Sequence, residues 1–309
     1  MILTVTLNVA VDKLYLVDRF ETGRVARVTT CNATAGGKGL NVSRIISILG
    51  EEVVATGFIG GHSGRFVEDL LRKDGIRNEF IPVEGESRTC INIIDAAGKN
   101  TELLEPGPTV AEEDQNRFVE QFSRFLPRCT VVTISGSLPV GCSPEFYARL
   151  IALVKAAGKK VILDTSGEAL KRGLQAKPTL VKPNKDEAGA LLGTDVTDVR
   201  QAADAARRLH DSGISCAVVS LGGAGAVMAC DQGTFQGTPP DVKTVNTVGC
   251  GDSMIGAFAV AMMRGYSMEK ALQLALEVSS ANAMCRQTGF FYPADFQRIS
   301  GTASVRKLA

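Results

Sequence analysis

Short apolar, β-rich runs alternate along this chain with longer segments whose apolar positions recur at helical spacing. The runs at 2–8, 53–59, 130–134, 160–164, 179–181 and 215–220 read as strands. The segments at 40–49, 64–73, 111–126, 144–157, 198–211, 252–264 and 268–285 read as helices. In the first of these, Val42, Ile45, Ile46 and Leu49 share one helical face. The runs Thr130 to Ile134 and Val161 to Leu163 are apolar almost throughout, which suits strands buried on both faces. The pattern predicts an α/β fold with a doubly wound, mainly parallel sheet flanked by helices. In such a fold the functional groups sit on loops at the carboxyl ends of the strands.

Two segments break the rhythm. Residues 12–34 and 88–105 alternate in strand fashion with no helix between. They predict a small antiparallel sheet projecting from the core. No low-complexity linker, repeat or long charge run interrupts the chain, so 1–309 is expected to form a single domain carrying this sheet.

Composition narrows the function classes. Hydrophobic residues are 45% and charged residues 22% of 309, enough apolar surface to exclude a disordered chain. The net charge of +1 disfavours a dedicated binder of nucleic acid or anionic membrane. The eight cysteines form no CxxC pair, so zinc ribbons and thioredoxin-type chemistry are not supported. Met1 to Asn8 has no basic leader or cleavage site, and no apolar run reaches the roughly 18 residues that a membrane span needs. A cytoplasmic protein is expected. His62 and His210 have no catalytic partners in sequence and are set aside; His210, among charged neighbours, is expected at the surface.

The candidate chemistry lies in glycine clusters. Asn246 to Ser253 (NTVGCGDS) precedes a helix rich in Gly and Ala. Small residues let a ligand approach the backbone, and free N–H groups at a helix start attract an anion. Asp252 beside such a site makes sense as a general base, or more simply as an N-terminal helix carboxylate. Ala35 to Asn41 (AGGKGLN) is neither a Walker A loop nor a GxGxxG fingerprint. It could hold sugar hydroxyls or a phosphate, or be a tight turn with a surface lysine. In Lys182 to Glu187 (KPNKDE), Asn184 and Glu187 share one side of a helical turn. They could organise water around Mg²⁺, or simply cap the helix. Ser220 to Gly225 (SLGGAG) could receive a nucleotide, or be a hairpin turn.

Taken in order, these segments resemble the ribokinase-like carbohydrate kinases of the PfkB family. Gly36 to Ser43, followed by Gly50 and Gly60, matches the first family signature, and Asn246 to Asp252 matches the second. Cys250 stands where Ala, Ser or Gly is usual. Within the family, TVTLN at 4–8, TAGGKGLN at 34–41 and ISGSLP at 134–139 look like the hexose-phosphate branch of 1-phosphofructokinases and tagatose-6-phosphate kinases. ESRTCI at 86–91, TELLEPGP at 101–108 and QTG at 287–289 look closer to the latter. The resemblance implies ATP-dependent phosphorylation of a ketohexose phosphate to a 1,6-bisphosphate, with Mg²⁺. Asp252 would be the base, with Gly249, Cys250 and Gly251 forming the anion hole. Asp12, Gly37, Lys38 and Asn41 would hold the sugar, and Arg88 with Ser137 its phosphate. Lys182, Asn184, Ser220, Gly222 and Gly225 would contact ATP, and Glu187 would act on Mg²⁺ through water. The segments 12–34 and 88–105 would form a lid that mediates a homodimer. The rivals are a kinase of another sugar or nucleoside, and a non-catalytic sugar-phosphate sensor. A dinucleotide oxidoreductase is disfavoured because no GxGxxG follows the first strand.

Overall fold

The computed structural model describes residues 1–308. In chain order the strands are β1 (Ile2–Thr6), β2 (Ala10–Val17), β3 (Val28–Gly36), β4 (Val53–Gly60), β5 (Arg77–Asn78), β6 (Ile81–Val83), β7 (Arg88–Asp95) and β8 (Asn100–Leu104). They continue with β9 (Val131–Ser135), β10 (Lys160–Asp164), β11 (Leu180–Val181), β12 (Cys216–Ser220), β13 (Ala226–Cys230), β14 (Gly233–Thr238) and β15 (Ser304–Lys307). The helices are α1 (Lys38–Ile48), α2 (Gly61–Lys73), α3 (Glu112–Phe125), α4 (Phe146–Ala156) and α5 (Gly167–Gln175). The rest are α6 (Lys185–Leu192), α7 (Val199–Asp211), α8 (Cys250–Met263), α9 (Met268–Ala283) and α10 (Pro293–Ile299).

The large sheet runs β15-β14-β13-β12-β11-β10-β9-β1-β4-β5. It is parallel from β12 to β5 and antiparallel from β12 to β15. The central strands are wholly buried, as their apolar runs require. Their side chains alternate between two cores. Ile2, Val131, Ile162 and Val218 pack with α1, α8 and α9. Leu3, Val5, Val132, Ile134 and Leu163 pack with α3, α4 and α5. Helix α8 is buried from Asp252 to Met262, so it lies between the sheet and its neighbours rather than on the surface. The chain leaves β1 toward β4 on one side and returns to β9 on the other, so the strand order reverses beside β1. In an open parallel sheet the crevice for a ligand opens at that reversal, at the carboxyl ends.

The small sheet runs β3-β2-β7-β8. Each hairpin is antiparallel, β2 with β3 and β7 with β8. The two hairpins join through a parallel β2–β7 pair. The expected small antiparallel sheet is present as these two hairpins. Its central pair is parallel because β2 and β7 both leave the core in the same direction, Ala10 beside Arg88. Helix α2 packs against β2 and β3. All seven predicted helices begin within three residues of expectation, α8 at Cys250 rather than 252, inside its glycine turn. The short strands β5 and β6, the strands β14 and β15 and the helices α5 and α10 were not anticipated.

Candidate active site

Every residue to which the resemblance gives a catalytic, sugar, nucleotide or metal role lines one continuous cavity of about 1670 Å³, beneath the small sheet and across the strand ends. The anion-site geometry begins at Gly249, which caps α8 with φ of 82°. A side chain there is excluded twice over: the backbone is left-handed, and a Cβ would lie 2.7 Å from the Gly289 nitrogen. The Cys250 N–H bonds the Thr247 carbonyl at 3.2 Å, which closes the turn. The Cys250 N–H is therefore engaged within the turn, while the N–H groups of Gly251 and Asp252 have no backbone partner at the helix start among the described residues.

Asp252 is 6% exposed. Its Oδ2 accepts a 2.9 Å bond from Asn41 Nδ2. Burial pushes its carboxyl up to about 6, against the pull of the Lys38 ammonium; Asp164 pushes the same way as burial. Asn41 comes from the first turn of α1, which the Gly36–Gly37 turn starts. At Gly36 a Cβ would lie 2.1 Å from Asp12 Cγ, so glycine is required for Asp12 to occupy its place. Burial raises the Asp12 carboxyl, opposed by the Gly37 N–H and the Arg88 guanidinium.

Asp164 ends β10, and sequence reasoning missed it. It is buried between Lys38 Nζ and Lys182 Nζ, each 3.5 Å away. Burial alone would raise its carboxyl, but the two ammoniums outweigh that and hold it below the usual range. The same pairing raises Lys38. The available signal was an acid at the carboxyl end of an apolar strand (KVILD). Asn8, just past β1, was also missed. Its Nδ2 donates to Pro106 O and Ser137 Oγ, while its buried Oδ1 has no partner among the described residues.

Arg88 begins β7. Its Nε and Nη2 donate to the Asn8 carbonyl at 3.2 and 3.1 Å, and Nη1 to the Glu105 carbonyl at 3.3 Å. These bonds aim a guanidinium at the cavity. On the far side, Asn184 and Glu187 form a reciprocal capping box at α6, 2.8 Å and 2.9 Å. The capping reading is thus realised, and it also fixes Glu187 beside the cavity. Among the described residues no group of three acids, histidines or cysteines could hold a metal alone. Mg²⁺ in nucleotide sites takes one or two carboxylates, waters and phosphate oxygens, so this donor set fits it only with a nucleotide present. Ser220 lies beside Asn184 through a lone β-bridge. Residues 221–225 form the turn between β12 and β13, the hairpin reading, with Gly225 N–H bonded to Gly222 O. Pro239, Val242, Val245, Leu276 and Ala283 add an apolar wall next to that turn.

The histidines stand apart. His62 is exposed and meets Glu86 at 3.4 Å, a partner that the sequence did not suggest. His210, expected at the surface, is only 23% exposed in its side chain and contacts the Ile214 carbonyl. Neither lines the cavity.

A buried acid at a glycine-rich helix start, with two ammoniums opposite and a sugar-sized polar wall, defines a phosphotransferase acting on a hydroxyl. The comparisons with known proteins agree. The chain belongs to the pfkB family carbohydrate kinases, whose pattern matches residues 5–295. A tagatose-6-phosphate kinase of Staphylococcus epidermidis is 38% identical over 302 residues, 97% of each chain. The crystal structure of phosphofructokinase-2 from Escherichia coli in complex with potassium superposes with a TM-score of 0.91 at 30% identity, covering 97% of this chain and 98% of that one. A possible 1-phosphofructokinase of Thermotoga maritima gives 0.88 at 28% identity over the whole of both chains.

Proposed function

We propose that the protein transfers the γ-phosphoryl group of ATP to the free primary hydroxyl of a ketohexose phosphate, with tagatose 6-phosphate first and fructose 1-phosphate second. The product is a 1,6-bisphosphate. The hydroxyl oxygen attacks the γ-phosphorus, the bond to the bridging oxygen breaks, and ADP leaves. The hydroxyl proton passes to Asp252, ionised in most molecules near neutrality because its carboxyl titrates at about 6. The observation that carries this reading is the Asp252–Asn41 pair at the mouth of the α8 helix start. Lys38, Lys182 and the free N–H groups of α8 stabilise charge on the transferring group. Arg88 grips the phosphate that the sugar already carries, and Asp12 orders the hydroxyls. Ser220, Gly222 and Gly225 receive the nucleotide, and Asn184 holds Glu187 in place. Mg²⁺ bound with ATP would neutralise phosphate charge, and Glu187 would help to hold it through water.

The small sheet serves as a lid that keeps water from the reacting phosphate. Its exposed apolar residues Val25, Val28, Leu103 and Leu104 support a homodimer through the lid. Among the described residues no helix is long and apolar enough to cross a membrane. The test is ADP release measured across tagatose 6-phosphate, fructose 1-phosphate, fructose 6-phosphate, tagatose, fructose, ribose and a nucleoside. The highest kcat/KM is expected on tagatose 6-phosphate. A preference for an unphosphorylated sugar or a nucleoside overturns the reading.

A further inference from the structure

We infer that Arg44 is a positioning residue for the base: its guanidinium fixes the Asn41 amide so that the amide N–H, and not the carbonyl, meets Asp252. Arg44 lies one turn after Asn41 on α1 and is 3% exposed. Its Nη1 donates to Asn41 Oδ1 at 3.2 Å, and Asn41 Nδ2 donates to Asp252 Oδ2 at 2.9 Å. The two ends of an amide differ little in shape, so packing alone does not choose between them. Turned over, Asn41 would set an oxygen against a carboxylate and an NH₂ against a guanidinium, two repulsive contacts. Arg stays charged at any working pH, so this polarity persists.

The remaining donors explain why the guanidinium cannot drift. Nη2 bonds the Ala35 carbonyl at 2.8 Å, Nε bonds Asp74 Oδ2 at 3.0 Å, and Nη1 also reaches the Thr288 carbonyl at 3.4 Å. These belong to the glycine turn before α1, the end of α2, and the loop packed on Gly249. One planar fork thus joins the sugar side, the root of the lid and the anion site. A buried guanidinium is costly to desolvate, and packing could be served by an apolar residue. The bond to Asn41 gives the charge a catalytic purpose that stability alone does not supply.

The inference rests on Asp252 as base, and the experiment separates the two. The charged and titratable groups around Asp252 are Lys38, Asp164, Lys182 and, on its own turn, Cys250. None is altered in the variants. The pH profile of kcat/KM is measured for the parent, Arg44→Met, Arg44→Lys, Asn41→Ala and the double variant Arg44→Met/Asn41→Ala. Arg44→Met should move the acidic limb up by about one pH unit, because the Asn41 amide, no longer held at its Oδ1, donates less well to the carboxylate. Arg44→Lys should return the limb part of the way. The double variant should titrate where Asn41→Ala does. A limb unmoved in Arg44→Met, with activity lowered equally at every pH, overturns the inference, as does a further shift in the Asn41→Ala background. Should Arg44→Met fail to fold, Arg44→Leu, which likewise offers Asn41 Oδ1 no donor, carries the same expectation and the same refutation. Turnover retained by Asp252→Asn would instead refute the base itself.

Discussion

Replacing Asp252 by Asn should make the fold more stable above neutral pH. Asp252 is 6% exposed, and burial dominates its environment despite Lys38, Lys182 and Asn41. Its carboxyl moves from 3.8 to about 6 on folding. A raised carboxyl favours the fold below the unfolded value, and that contribution is lost as pH rises through about 6. The gap corresponds to roughly 3 kcal/mol carried as a penalty once the group is ionised in both states. Asn is isosteric and neutral, and its Oδ1 still accepts from Asn41. The variant should therefore exceed the parent by up to about 3 kcal/mol at about pH 8, and the advantage should vanish toward pH ~4. Urea unfolding followed by far-UV circular dichroism across that range measures it. A variant no more stable than the parent at the alkaline end, or a difference independent of pH, refutes the reasoning. Such a gain would be the usual exchange of stability for a strained active group.

Asp164 has the opposite sign: its carboxyl is depressed, so its contribution is present above the unfolded value and is lost as pH falls through the folded one. Asp164→Asn leaves two ammoniums facing each other and should cost about 3–5 kcal/mol near neutrality, the deficit shrinking in acid; unfolding midpoints at two pH values check this. Arg88→Ala should cost about 2–5 kcal/mol in kcat/KM for a sugar phosphate and far less for the unphosphorylated ketohexose, and equal losses on both would assign Arg88 to lid structure. Glu187→Gln retains an oxygen for the Asn184 cap and removes only charge, so the Mg²⁺ saturation curve should move to higher concentration while thermal stability holds; superimposable curves would leave Glu187 a cap.

Much of the candidate site was legible because glycine clusters mark where the backbone is tightly crowded. At Gly36 a Cβ would meet the Asp12 carboxyl, and at Gly249 the 288–289 loop. Buried strands were legible from continuous apolar runs, and α8 from its Gly and Ala content. Asp164 was not, since a strand-end acid looks the same whether it faces water or two lysines. Arg44 was hidden for a related reason: charged residues on a helix usually face solvent, and it takes Ala35, the end of α2 and the 288–289 loop together to enclose it. The parallel β2–β7 pair escaped notice because alternation reports a strand but not its partner's direction. Strands β14 and β15 were missed where short, mixed runs such as Gly233 to Thr238 carry little periodic signal.

Turnover of Asp252→Asn, measured with ATP and tagatose 6-phosphate both saturating, tests the central claim most directly. Calorimetric titration of each ligand accompanies it, so that lost binding is not mistaken for lost chemistry. The proposed base predicts ligand affinities within a few-fold of the parent and kcat lower by at least about 10²–10⁴. Near-parental kcat with both ligands bound would contradict the account, because the hydroxyl proton would then leave without Asp252.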